Sequence, residues 1–156
     1  MLCRYDNEDR FDRLEGQLRS AHALTPELMS NVMAGSCVRL ASLGHTTLPV
    51  RINRLVESRA WVDAAFTLIE LELPAWKLRR LVYEDGEWFC SLSRQTNLPA
   101  DLDDTADAHH EILPLAILGA FLEAKRRATS LREASPRSVP QVQSAQADPI
   151  CCDNFA

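Results

Sequence analysis

The chain has 156 residues, 46% of them hydrophobic and 25% charged, with a formal net charge of −5. That is the length of one domain with extensions, in an ordinary globular mixture that excludes disorder throughout. The acidic total also excludes a strongly basic nucleic-acid surface overall. The charge is uneven, however. Residues 50–100 hold seven Lys/Arg and seven Asp/Glu, while residues 101–124 carry six acids and no Lys/Arg, so a local basic face in mid-chain is allowed.

From the N-terminus, residues 1–24 read as a polar segment. Phe11, Leu14 and Leu18 keep a 3–4 spacing that fits a short amphipathic helix, weakened at Gly16. The segment has no apolar signal core, and no apolar run of the chain reaches the roughly 18 residues a membrane span needs. A first helix is expected over TPELMSNVMAGSCVRLASLG, with Thr25 as N-cap, Pro26 at the first helical position and Gly44 ending it. Its Met29 and Met33 fall on the apolar stripe and read as core packing. A second helix is expected from about Pro49 to Leu71, capped by Thr47 and stopped by Pro74. Its apolar surface is wide enough for burial on more than one side.

KLRRLVYEDGEWFCSLS, Lys77 to Ser93, reads as a β-hairpin around Asp85-Gly86. A two- or four-residue loop sets Tyr83 opposite Trp88, and a three-residue loop sets Val82 there. The latter avoids placing Glu84 against Glu87. RQTNLPADLDD is a connector. A last helix is expected over about Asp104–Ala128, with acids at its start, Lys125-Arg126-Arg127 at its end and a kink or restart where Pro114 interrupts it. Gly119 suits a close helix crossing. After Ala128 the chain turns to Ser, Pro, Gln and Ala and reads as a disordered tail, 129–156. The expected fold is therefore α+β in the order helix, helix, β-hairpin, helix over residues 25–128. The helices pack on a two-stranded hairpin whose open edges suit a homodimer.

Candidates for chemistry are few. Arg79 and Arg80 beside Trp76 and Trp88 could hold an anion or an interaction partner, although adjacent residues of a strand face opposite ways. The bland alternative pairs one Arg with an acid such as Glu70 and leaves the other solvated. Cys90, inside a strand, reads as a buried structural thiol. Asp107 and His110 would share a helix face, but no second Asp/Glu-x-x-His completes a di-metal set, so no metal or cofactor is expected. Cys3, Cys37, Cys90, Cys151 and Cys152 form no CxxC and read as reduced thiols of a cytoplasmic protein, the last two incidental. No nucleotide-loop, nucleophile-elbow or zinc-protease motif occurs.

The segment WVDAAFTLIELELPAWKLRRLVYEDGEWFCSLSR, with LPADLDD and HHEILPLAILGAFLEAKRR, resembles a set of uncharacterised small alphaproteobacterial proteins over about residues 58–128. The likeness rests on Trp61, Pro74, Trp76, Arg79-Arg80, Gly86-Glu87-Trp88 and the final apolar helix. It implies a bacterial origin and no activity. The reading is a small cytoplasmic interaction or regulatory protein without catalysis, for an unknown protein partner. The alternatives are nucleic-acid binding through Arg51, Arg54, Arg59, Lys77, Arg79 and Arg80, or an anion-binding pocket or enzyme near the hairpin.

Overall fold

The computed structural model describes residues 2–43 and 47–134. Its elements in chain order are α1 (Leu2–Ser20), α2 (Pro26–Ser36), α3 (Val38–Ser42), α4 (Thr47–Glu57), α5 (Trp61–Glu72), β1 (Lys77–Glu84), β2 (Glu87–Ser93), β3 (Thr105–His110) and α6 (Leu113–Ala134). A single 3-10 turn, Ala100–Leu102, lies in the β2–β3 connection. The fold is α+β, with helices laid on one antiparallel sheet of strand order β1-β2-β3.

Local chemistry accounts for several boundaries. Thr25 caps α2, its Oγ1 accepting the Leu28 N–H at 3.2 Å, with Pro26 at the first helical position. The helix expected to run on to Gly44 instead breaks at Cys37. The Ser36 hydroxyl donates back to the Val32 carbonyl at 2.5 Å, a bond that bends helices, and α3 then restarts at Val38. The second expected helix is also two, α4 and α5. Arg59 adopts a left-handed conformation at φ 56°, and the Ala60 N–H reaches the Leu55 carbonyl while the Arg59 N–H reaches Val56. Those two bonds close α4 as a glycine normally would, here without one.

At the hairpin, Asp85 and Gly86 have φ of 53° and 89°, the two positive angles of a two-residue loop whose twist matches its strands. Tyr83 therefore pairs with Trp88 and Glu84 with Glu87. The like-charge pair is tolerated because it is exposed and the Arg80 Nη2 donates to Glu84 at 3.1 Å. A register shift between Leu78 and Arg80 leaves Arg79 as a bulge residue.

The stretch Thr105–His110 corrects the expectation of a helix from Asp104. It is a strand, paired with β2 from Trp88↔His110 to Ser93↔Thr105, so the two-stranded hairpin is a three-stranded sheet. TADAHH alternates, with Ala106, Ala108 and His110 toward the helices and Thr105, Asp107 and His109 away. The helix starts only at Leu113, where Pro114 fits the first turn. It runs past Ala128 to Ala134; the rest of the tail expected to be disordered lies outside the described residues.

α6 packs on β3, β2, α1 and α5 and centres the core, with Ile117, Leu118, Phe121 and Leu122 fully buried. Phe11, Leu14 and Leu18 bring α1 into that core, so the polar N-terminal segment is part of the packed body. His110 ties it further: Nε2 donates to the Leu18 carbonyl at 3.1 Å, and Nδ1 accepts the Ile112 N–H at 2.9 Å.

Gly119 marks a close approach, to a strand rather than to a helix. A Cβ there would lie 2.9 Å from the Cβ of Ala108. An exposed helical Gly→Ala change gains up to about 1 kcal/mol. Here the strand methyl cannot rotate away, so Gly119→Ala is expected to lose about 1–3 kcal/mol. A lowered urea midpoint with an unchanged far-UV spectrum would show it.

Candidate functional site

The four residues singled out from the sequence do not form one site. Trp76 is buried at the end of the α5–β1 connection. Trp88 lies against Tyr83 with ring centroids 5.2 Å apart. Arg80 sits over the Phe89 ring at 5.7 Å and pairs with Glu84 on the sheet face turned away from the helices. Arg79 is committed internally. Its guanidinium bonds the Asp103 carboxylate, whose side chain is 2% exposed, and donates to the Leu98 carbonyl at 2.8 Å. Asp103 also accepts from the Ser93 hydroxyl, which in turn accepts the Gln95 N–H at 2.9 Å. This network anchors the loop after β2, and Asp103 takes the place that Glu70 was expected to fill.

The six cationic residues proposed as a nucleic-acid face are likewise divided. Arg51 and Arg54 lie on α4, which packs on α5 and α2, whereas Arg79 and Arg80 make the pairs just described. Asp107 and His110 fall on opposite faces of β3, so they share no metal. Among the described residues no three His, Cys, Asp or Glu side chains converge as metal ligands.

A different place is built as a site. Where α1, the α2–α3 break, the α5–β1 connection and the end of α6 meet, there is an open groove of about 960 Å³. Its floor is apolar and buried, formed by Phe11, Leu73 and Trp76. Arg10, Arg39, Arg94 and Lys125 line it, against the single carboxylate of Glu72. Val38 and Leu131 border it as exposed apolar side chains, 71% and 45% accessible.

Glu72 is fully used. Its Oε2 accepts from Lys125 Nζ at 2.9 Å and its Oε1 from the Leu40 N–H at 2.7 Å, with none of its side chain accessible. The carboxylate thus caps α3 from across the fold and neutralises Lys125. Arg39, the residue before Leu40, donates to the Leu71 carbonyl at 3.2 Å and remains exposed. Arg94, at the end of β2, has no side-chain partner among the described residues. The groove therefore presents net positive charge on an acidic protein.

Among the described residues two thiols are buried, Cys37 beside the groove and Cys90 within β2. Burial pushes the Cys37 thiol up to about 12, with Glu72 adding to the shift and the Ser36 hydrogen bond and Lys125 opposing it. Cys90 is likewise pushed up to about 12, by burial and then by Asp107. Neither supplies a thiolate nucleophile near neutral pH.

Trp76, expected beside Arg79 and Arg80, lines this groove instead, and sequence reasoning missed Arg10, Arg39, Arg94 and Lys125. They are scattered over four elements, and only tertiary packing brings them together. No helix of the described residues is long and apolar enough to cross a membrane. Comparison with protein-family models, with curated proteins and with solved structures gives no match.

Removing one partner of the buried pair leaves a charge without compensation. Lys125→Met is expected to lose about 3–5 kcal/mol, and Lys125→Met with Glu72→Leu to recover part of that loss. Chemical denaturation of the three proteins measures both.

Proposed function

We propose that this is a small, non-catalytic interaction protein of the cytoplasm that holds an acidic, partly apolar segment of a partner protein in the basic groove. The sign of the groove carries the reading: Arg39, Arg94 and Lys125 face one neutralised carboxylate, in a chain of net charge −5. Such a patch attracts an acidic segment of opposite charge. The apolar floor and the exposed Val38 and Leu131 favour a peptide over a bare phosphate backbone, because apolar side chains need somewhere to be buried. An anion-binding pocket at Arg79 or Arg80 has less support, since this groove is lined by neither and Arg79 is held by Asp103. The resemblance to small alphaproteobacterial proteins implies no activity and leaves the choice to the groove.

The test is fluorescence anisotropy with a labelled peptide alternating Asp or Glu with Leu or Phe, beside a single-stranded oligonucleotide of equal length. The peptide is expected to bind, more weakly as salt rises, and Arg94→Glu to raise its Kd about tenfold or more. No binding of the peptide, tighter binding of the oligonucleotide, or indifference to Arg94→Glu would each contradict the reading.

A further inference from the structure

We infer that two copies of the chain pair along the open edge of β1, antiparallel about a two-fold axis at Leu81, to make one continuous sheet of six strands. β1 pairs with β2 on one side only, and no strand among the described residues lies on the other. Backbone alternation fixes which groups that edge offers. In a two-residue hairpin the residues flanking the turn exchange both backbone bonds, so Glu84, Val82 and Arg80 bond toward β2. Tyr83 and Leu81 then turn their N–H and C=O groups outward. Leu81 can pair with itself across the axis through two hydrogen bonds.

The bulge at Arg79 makes the edge self-complementary. Leu78 and Tyr83 are five residues apart and would face opposite ways on a regular strand. With Arg79 left out of the pairing, Leu78 stands opposite Leu92 and Tyr83 opposite Trp88, both on the helix side. Lys77 and Glu84 share the other side, opposite Ser93 and Glu87. Counting from Leu81 along the paired positions, Leu78 meets Tyr83 of the second copy and Lys77 meets Glu84 of the second copy. Each contact occurs twice by symmetry. Leu78 and Tyr83 are β1's two exposed large apolar residues, 42% and 56% accessible, and this register covers both.

Other registers fare worse. A slip of two paired positions in one direction sets Arg80 against Arg80 of the second copy. The opposite slip leaves Leu78 uncovered. The bulge residue itself does not obstruct the edge, because its guanidinium is drawn back to Asp103 and the Leu98 carbonyl. The register therefore selects a second copy of this chain rather than an arbitrary strand.

Sedimentation velocity of the full chain, over a concentration series, tests the inference. A species of twice 17.5 kDa is expected. Lys77→Glu and Glu84→Lys are each expected to raise the dimer Kd about tenfold, since one change alters two symmetry-related pairs. The double variant should return it to within about threefold of the starting value. Tyr83→Pro removes an outward N–H, with the exposed ring that lies against Trp88, and is expected to leave a folded monomer. A monomer at every concentration, a dimer insensitive to the single reversals, or a double variant as weak as either single one would overturn the inference. None of these outcomes bears on the groove, which lies on other elements.

Discussion

The carboxylate of Glu72 holds three parts of the molecule in register. It sits at the C-terminal end of α5, caps the backbone of α3 and pairs with Lys125 on α6. A carboxylate with no accessible side-chain surface is tolerable only when its oxygens are satisfied, and here each has a donor. That requirement fixes the break at Cys37, because an unbroken helix from Pro26 to Gly44 would not free the Leu40 N–H for capping. The break opens the groove at that junction, with Arg39 on its border and Ser36 in its wall.

A second buried charge organises the sheet. Asp103 gathers the Arg79 guanidinium and the Ser93 hydroxyl, tying the β1 bulge, the end of β2 and the returning loop together. The bulge in turn sets which faces Leu78 and Lys77 occupy. Both ionic knots therefore act through geometry, one shaping a groove and the other an edge. Their contribution to net stability is secondary, since apolar replacements of buried pairs are often neutral.

Features written in consecutive residues were legible in the sequence. Thr25-Pro26 specified a helix start, Asp85-Gly86 specified the hairpin, and Phe11, Leu14 and Leu18 specified an amphipathic helix. Features decided by tertiary partners were not. The turn at Arg59 uses a left-handed arginine with no Gly or Pro to announce it. Asp103, Asp104 and Asp107 resemble a helix start, and that resemblance concealed the alternation of TADAHH, which becomes a strand because β2 has a free edge beside it. The hairpin register was open in the sequence because the Glu84–Glu87 repulsion argued against the better turn, and Arg80 relieves that repulsion only in the folded state. The groove was invisible for the same reason: Arg39 and Arg94 lie far apart along the chain and converge only through α5 and α6.

The proposed role is that the basic, apolar-floored groove holds an acidic segment of a partner. Amide chemical shifts of the isotope-labelled full chain, followed while an acidic amphipathic peptide is added, test this most directly. The account predicts perturbations confined to Arg39, the Trp76 indole, Arg94 and the turn around Thr129, the residues that line the groove. Shifts centred instead on α4 or on the sheet face bearing Arg80 and His109, or no shifts at saturating peptide, would contradict it.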